Sequence, residues 1–501
     1  MSARPLAVAG FLVAAVILPG DGGRTLGQPG AKPADQLLGA DNCIRCHREP
    51  TPADRKPGGA AEFIRLDEST VWATNDLHGK AFEALSSPLG QQMGKLLGYD
   101  VTKRAECLAC HAVDKEPDKP VAGRPADQFY TDYGVSCEAC HGFATQWYAE
   151  HALKTWREKD PAYKEGKGLV DLRDPARRGE RCAACHVGSA ADGRFVTHAM
   201  FAAGHPPLPG VEVMAYSRDQ PMHYIPPREN KYLSSLNPDA AWKLFHYRPG
   251  ESAAARQVAV GAVTSLRSSL KLVADAAKAT DPEKDALDLA HFDCYACHHD
   301  LQSRGWRQKR GFAGVPGRPQ LRPGYALLAR TVVQHATDVR GSAAGVLGQF
   351  GPKWDKLTAA FDRRPFGVPA DVTAAANDLV AWCDAALKEL EQIPYDPAHA
   401  AKLLKALATA AAAPDAPLDA DAAQQFVWAA DVLRADLSDT DAAKQIGEQL
   451  AGLKEMLTQQ VRDPHGTELL GPKLNARLER LNRYDPDPVR AAFGRIAALV
   501  K

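Results

Sequence analysis

The sequence predicts a mainly α protein, with a core of short helices and long loops followed by a C-terminal helical bundle. Three observations carry that prediction. Five Cys-x-x-Cys-His runs lie between residues 43 and 298 and consume ten of the eleven cysteines. Period-2 runs of β-branched residues, the mark of strands, are nearly absent. Beyond residue 324 the chain turns alanine-rich, and its apolar residues recur at helical spacing.

Taken in order, the first twenty residues, MSARPLAVAGFLVAAVILPG, set Arg4 ahead of an uncharged apolar run from Leu6 to Gly20. That pattern reads as a secretory signal, assigned to residues 1–33, with the mature start between Gly27 and Ala34. The apolar run is short for a membrane span. The expected location is therefore the periplasm, with membrane contact only if the signal stays uncleaved.

The five runs are CIRCH at 43–47, CLACH at 107–111, CEACH at 137–141, CAACH at 182–186 and CYACH at 294–298. A Cys-x-x-Cys-His run is the attachment site of a c-type haem, and the spacing has a mechanical reason. Two thiols add to the two vinyl groups of one porphyrin, and the next residue swings its imidazole under the iron. A zinc site would gather four ligands from two such pairs, which five copies cannot supply evenly. A disulfide framework gives the five histidines no role. The expected cofactors are thus five covalent haems c, each with its iron. Cys43, Cys46, Cys107, Cys110, Cys137, Cys140, Cys182, Cys185, Cys294 and Cys297 form the thioethers. His47, His111, His141, His186 and His298 are the proximal ligands.

From Cys43 to His298 is 256 residues, about 51 per haem, so the porphyrins form much of the core of a domain placed at 34–303. A Gly-, Pro- and Arg-rich linker follows at 304–324. The helical domain at 325–501 shows one apolar stripe at Leu379, Trp382, Cys383, Ala386, Leu387 and Leu390 and another at Ile446, Leu450, Leu453 and Leu457. Cys383 lies on such a stripe and reads as a buried structural thiol. The chain carries 61 basic and 61 acidic side chains, without the basic excess of a nucleic-acid partner. Redox proteins are the expected partners, and no motif says which.

Eleven histidines remain once the proximal five are set aside. His78, in STVWATNDLHGKAFEAL, would share one face with Val71, Phe82 and Leu85 of a helix that Ser69 can cap. His151 follows His141 by ten residues, ~15 Å along a helix, and so should reach a neighbouring haem. His198 and His205, in THAMFAAGHPPLP, are seven apart and share a helical face until Pro206 ends the helix. These four are the distal candidates. His223, His246, His291 and His299 read as ordinary core or surface histidines, and His299 adjoins His298, so the two cannot bind one iron.

The order CIRCH, TNDLHGKAF, CLACH, GVSCEACHG, His151, RCAACH resembles the multihaem cytochromes of the cytochrome c-554 type, electron carriers of nitrification, over roughly residues 40–190. The resemblance implies a four-haem core in which His78 pairs with His141 and His151 with His47. It also implies that the iron of His111 has no distal histidine. THAMFAAGHPPLP and FDCYACHHDLQSRGWRQ resemble segments of larger multihaem relatives in which a histidine of the HP type serves an iron late in the chain. The fifth motif and the C-terminal bundle depart from the four-haem pattern.

Three functions compete. An electron carrier needs no residue beyond those named. A multihaem oxidoreductase would act on a small nitrogen or sulfur species at a five-coordinate iron, and no compact motif of Lys, Arg, Tyr or His nominates its site. In the third, the C-terminal bundle is a docking module that holds the cytochrome to a partner.

Overall fold

A computed structural model describes residues 36–457 and 484–500, apart from 118, 207, 209, 280–286, 294–314, 316–317, 320, 323, 342–344 and 365. The described residues are mainly helical, and their one sheet is the antiparallel pair Val113–Asp114 with Phe129–Tyr130. The signal segment, the fifth motif with Cys294, Cys297, His298 and His299, and most of the linker lie outside them. Among the described residues no helix is long and apolar enough to cross a membrane.

Four helices carry the first four motifs, the first of them only as far as Ile44. These are α1 (Ala40–Ile44), α2 (Ala105–His111), α3 (Cys137–His141) and α4 (Pro175–His186). On α2, α3 and α4 the motif histidine is the last residue, so its ring hangs off the end of the helix. A helix turn brings i and i+3 together, which points both thiols of a motif to one side. Asp174 starts α4 by accepting from the backbone N–H groups of Ala176 and Arg177, with Pro175 at the first helical position.

One element departs from the expectation of short helices between residues 34 and 303. Helix α5 (Ala253–Ala279) is 27 residues long, and every residue from Ala255 to Arg267 is buried. A helix buried on all sides belongs to a core. It packs against α4 on one side and against α6 (Gly324–Arg340) and α7 (Pro369–Leu390) on the other. Two features close it on α4. A Cβ on Gly179 would lie 2.1 Å from Thr264 Oγ1, so only glycine allows this approach. The buried Arg267 donates to Asp384 on α7 at 2.7 Å and to Glu180 on α4 at 3.3 Å. Burial pushes the Glu180 carboxyl up to about 7, against the pull of Arg267.

Beyond α7, the helices α8 (Pro397–Ala412), α9 (Ala420–Leu433), α10 (Thr440–Leu457) and α11 (Pro486–Leu499) complete the bundle. Both apolar stripes read from the sequence are buried there, and Cys383 is fully buried with its thiol pushed up by burial. One continuous apolar core runs from Ala215 through α5 to Val500. The helix before the expected linker and the helices after it therefore share one core.

Candidate functional site

The four described motifs stand in a row. The Cys43 thiol is within hydrogen-bond reach of Cys137, and Cys110 of Cys185, while Cys140 lies close enough to Cys182 and Cys185 to feel their charge. In space the motifs follow one another as first, third, fourth, second. The described cysteines form no disulfide, and among the described residues no three His, Cys, Asp or Glu side chains converge as a tetrahedral metal site requires. Thiols and imidazoles instead surround a cavity of about 1870 Å³, lined by Cys107, Cys110, Cys140, Cys182, Cys185 and four histidines. Ordinary small-molecule sites span about 300–1,000 Å³.

The motif histidines are met by other histidines. His47 and His151 stand near each other, ring centroids 6.2 Å apart and planes 11° from parallel. His186 meets His78 at 6.1 Å, with the planes 88° apart. Two imidazoles bound to opposite sides of one metal at ~2 Å each would place their centroids ~6 Å apart. His111 lies close enough to His205, and His223 to His141, to disfavour the charged forms of His205 and His141.

In most of these rings Nδ1 is taken by a partner, which leaves Nε2 to face across the gap. His47 donates to Glu68 Oε2 at 2.9 Å and His78 to Asp76 Oδ1 at 2.9 Å. His111 donates to the Ala81 carbonyl at 2.7 Å, His205 to that of Pro206 at 2.8 Å and His223 to that of Pro221 at 3.1 Å. His151 donates to the Tyr148 carbonyl. Such partners fix the tautomer and aim the other nitrogen. Burial, with the facing His78, holds His186 down to about 4, and burial with the facing His223 does the same for His141. Both rings are neutral and able to ligate. For His47 the bond to Glu68 raises the basicity above its ordinary value. Burial works against protonation of His78, and Asp76 outweighs it.

Residues 42–142 match the family model described as cytochrome c554 and c-prime. Over these residues the chain is similar to c-type cytochromes of that family. The match covers about a fifth of the chain and takes in the first three motifs. No curated protein and no solved structure matches the chain. The c-type cytochrome carries covalently bound haem c with its iron, and the residues present suit that group. Each of the four described motifs offers two thiols and an imidazole, and at the first and fourth a second imidazole stands 6.2 and 6.1 Å away. The cavity also holds Arg194, whose buried Nε has no partner among the described residues, a cation suited to a haem carboxylate.

Several expectations change in detail. His78 does not face His141 as the resemblance implies. The helix expected to run from Ser69 through Leu85 stops at Asn75, because the Asp76 carboxylate caps a new turn by accepting from the His78 backbone N–H at 3.0 Å. The His78 carbonyl then binds Val135 N–H at 2.9 Å, which leaves the ring pointed toward the fourth motif. His198 and His205 do not share a helical face. The helix His198–Ala202 ends before Gly204, whose φ of 115° leaves the helical region ahead of Pro206. His205 alone reaches the cavity, while His198 donates its backbone N–H to Asp288, beside the segment that leads to the fifth motif. His151 lies on the short helix Tyr148–His151, separated from α3 by Gly142 with φ 80°.

Sequence reasoning passed over His223, whose faint signal is the Pro-x-His turn at 221–223. It also passed over the carboxylates Glu68 and Asp76, and only Asp76, two residues before His78, could have been suspected from spacing. His246 sits away from the motif histidines, 3.9 Å from Asp171. His291 is buried three residues before Cys294, with no partner for Nε2 among the described residues.

Proposed function

We propose that the chain is an exported periplasmic cytochrome with five covalent haems, which carries electrons between redox protein partners. The facing histidine pairs carry the reading. His47 with His151 and His186 with His78 stand at the spacing of two axial ligands. When both axial positions are filled by imidazole, no iron is left open to a substrate.

Haem supplies one-electron exchange at its iron. The chain's own residues hold and separate these centres. The thiols fix each porphyrin edge, the imidazoles close its two faces, and Glu68 and Asp76 orient the rings. Leu85, Leu89 and Val101 form an apolar wall of the cavity, which limits water and so the reorganisation that accompanies a change of charge. The placement of His205 near His111 favours a closed second site, in place of the open one that the oxidoreductase reading needs.

The test is a redox titration of the purified protein followed by visible and EPR spectra, together with intact mass. The proposal expects five haems added to the mature chain, low-spin irons, and no uptake of carbon monoxide or nitric oxide by the reduced protein. A high-spin iron that binds either gas favours the oxidoreductase reading and defeats this one.

A further inference from the structure

We propose that Glu68 and Asp76 are positioning residues that set reduction potentials, holding the first and fourth irons below the second. The inference rests on the electron-transfer reading, in which the facing imidazoles are the axial ligands. Its ground is the chemical nature of the group behind each ring. At the first site His47 donates to a carboxylate oxygen of Glu68 at 2.9 Å, and at the fourth His78 donates to one of Asp76 at 2.9 Å. At the second site both rings donate to neutral backbone carbonyls, His111 to Ala81 at 2.7 Å and His205 to Pro206 at 2.8 Å.

An imidazole that gives its far proton to a carboxylate is a more basic ligand than one that gives it to an amide carbonyl. A more basic ligand, with an anion behind it, stabilises the ferric state over the ferrous and lowers the potential. The effect is preserved only where the anion is not cancelled. Asp76 is 3% exposed at its side chain, and it also accepts from neutral donors, Gln220 Nε2 at 2.8 Å and the His78 backbone N–H at 3.0 Å. Among the described residues neither Asp76 nor Glu68 is bridged by a lysine or arginine; Arg65 is paired with Asp67 at 2.8 Å and feels Glu68 only as a more distant charge. Burial keeps the field of such a charge strong.

The order of the motifs gives this pattern a consequence. The second site is at one end of the row, next to the fourth. With the carboxylates behind the first and fourth sites and none behind the second, an electron shared among these three centres settles at the second; at the third, His223 likewise donates to a neutral carbonyl, that of Pro221 at 3.1 Å.

The experiment is a spectroelectrochemical titration of the full holoprotein and of Glu68→Gln, Asp76→Asn and the double variant. Asn and Gln still accept the imidazole proton but carry no charge. Each single variant should raise one midpoint, by about tenfold in the ferric–ferrous equilibrium or ~59 mV for one electron. The double variant should raise two different ones, with haem count and low-spin spectra intact. Unchanged or lowered midpoints overturn the inference. Loss of a low-spin signal also overturns it, because the carboxylate would then only hold the ring in place. Failure of the electron-transfer reading is seen separately, as a high-spin iron in the unsubstituted protein.

Discussion

Tyr216 meets Trp428 edge to face, with ring centroids 5.5 Å apart, and on its other side reaches the ring of His186 at 4.9 Å. A residue of the C-terminal bundle is thus two rings from a motif histidine, and Trp428 itself lines the large cavity. The bundle also supplies the partners of α5, the helix on which the fourth motif rests. Removing residues 325–501 should therefore cost the haem domain its fold, where a docking module would leave it whole. The expected outcome is loss of soluble, fully haem-loaded protein. A soluble truncated chain with an unaltered visible spectrum would reject it. The point variant Trp428→Ala should destabilise the holoprotein by about 3 kcal/mol, since a large aromatic is removed from a packed wall, and denaturant unfolding would measure it.

The histidine pairs make a second prediction that is specific to each site. Replacing His78, His151, His205 or His223 by alanine should convert one low-spin iron to high-spin in each case. His246→Ala should leave the spectra unchanged, because His246 stands beside Asp171 and not beside a motif histidine. The site behind each change can be assigned by EPR. For His78→Ala the affected iron should be that of His186, and an effect at His141 would contradict the 6.1 Å pairing.

The motif spacing made the haem sites legible in the sequence, since the chemistry is local to five residues. The stripes at Leu379–Leu390 and Ile446–Leu457 were legible for the same reason, being a helical period within one element. The histidine pairs were legible only in part: His151 meets His47 as the resemblance implies, whereas His78 meets His186, because which imidazole faces which motif depends on where a chain reversal points it. His78 shows the difficulty. A two-residue Asp-to-backbone cap breaks an apparently continuous helix and turns the ring from one motif to another. The helical-period rule applies to α5 too, where Ala255, Val258, Ala262, Leu266, Leu270, Val273 and Ala277 recur at helical spacing and mark a helix far longer than its neighbours.

Glu138, inside the third motif, gives a third prediction. Its carboxylate is 3% exposed and accepts from the backbone N–H of Leu38 at 3.0 Å, Gly39 at 2.8 Å and Ala144 at 2.8 Å. It ties the segment before the first motif to the third, where Cys43 and Cys137 meet. Glu138→Ala leaves these donors without a partner, at about 1–3 kcal/mol for a single buried group and more for several together. A loss of about 3 kcal/mol in denaturant unfolding is expected, with faster hydrogen exchange at Leu38, Gly39 and Ala144. Exchange at those three amides equal to that of the unsubstituted protein would show that the clamp is not made.

The last prediction concerns acid stability and the Asp431 carboxylate. Asp431 lies on α9 with its side chain 4% exposed, and three cations face it: Arg218 at 2.7 Å, Arg434 at 2.8 Å and Lys454 at 2.6 Å. Burial alone would raise its pKa. The bonds to Lys454 and Arg434 and the charge of Arg218 outweigh burial and hold it below the ordinary 3.8. A carboxyl whose folded pKa lies below its unfolded one binds protons more weakly in the folded state. It therefore contributes stability above the unfolded value, and that contribution is lost as pH falls through the folded one. Asp431→Asn removes the charge and leaves three cations around a neutral amide. Breaking a buried ion pair from one side costs about 3–5 kcal/mol, and the partial exposure of the cations places this case near 3. Urea unfolding at pH 7 should show that loss, and the gap between variant and parent should shrink as the pH is taken below 3.8. A gap of constant size from pH 7 to pH 2 would mean that the carboxylate is not the anchor of α9 and α10.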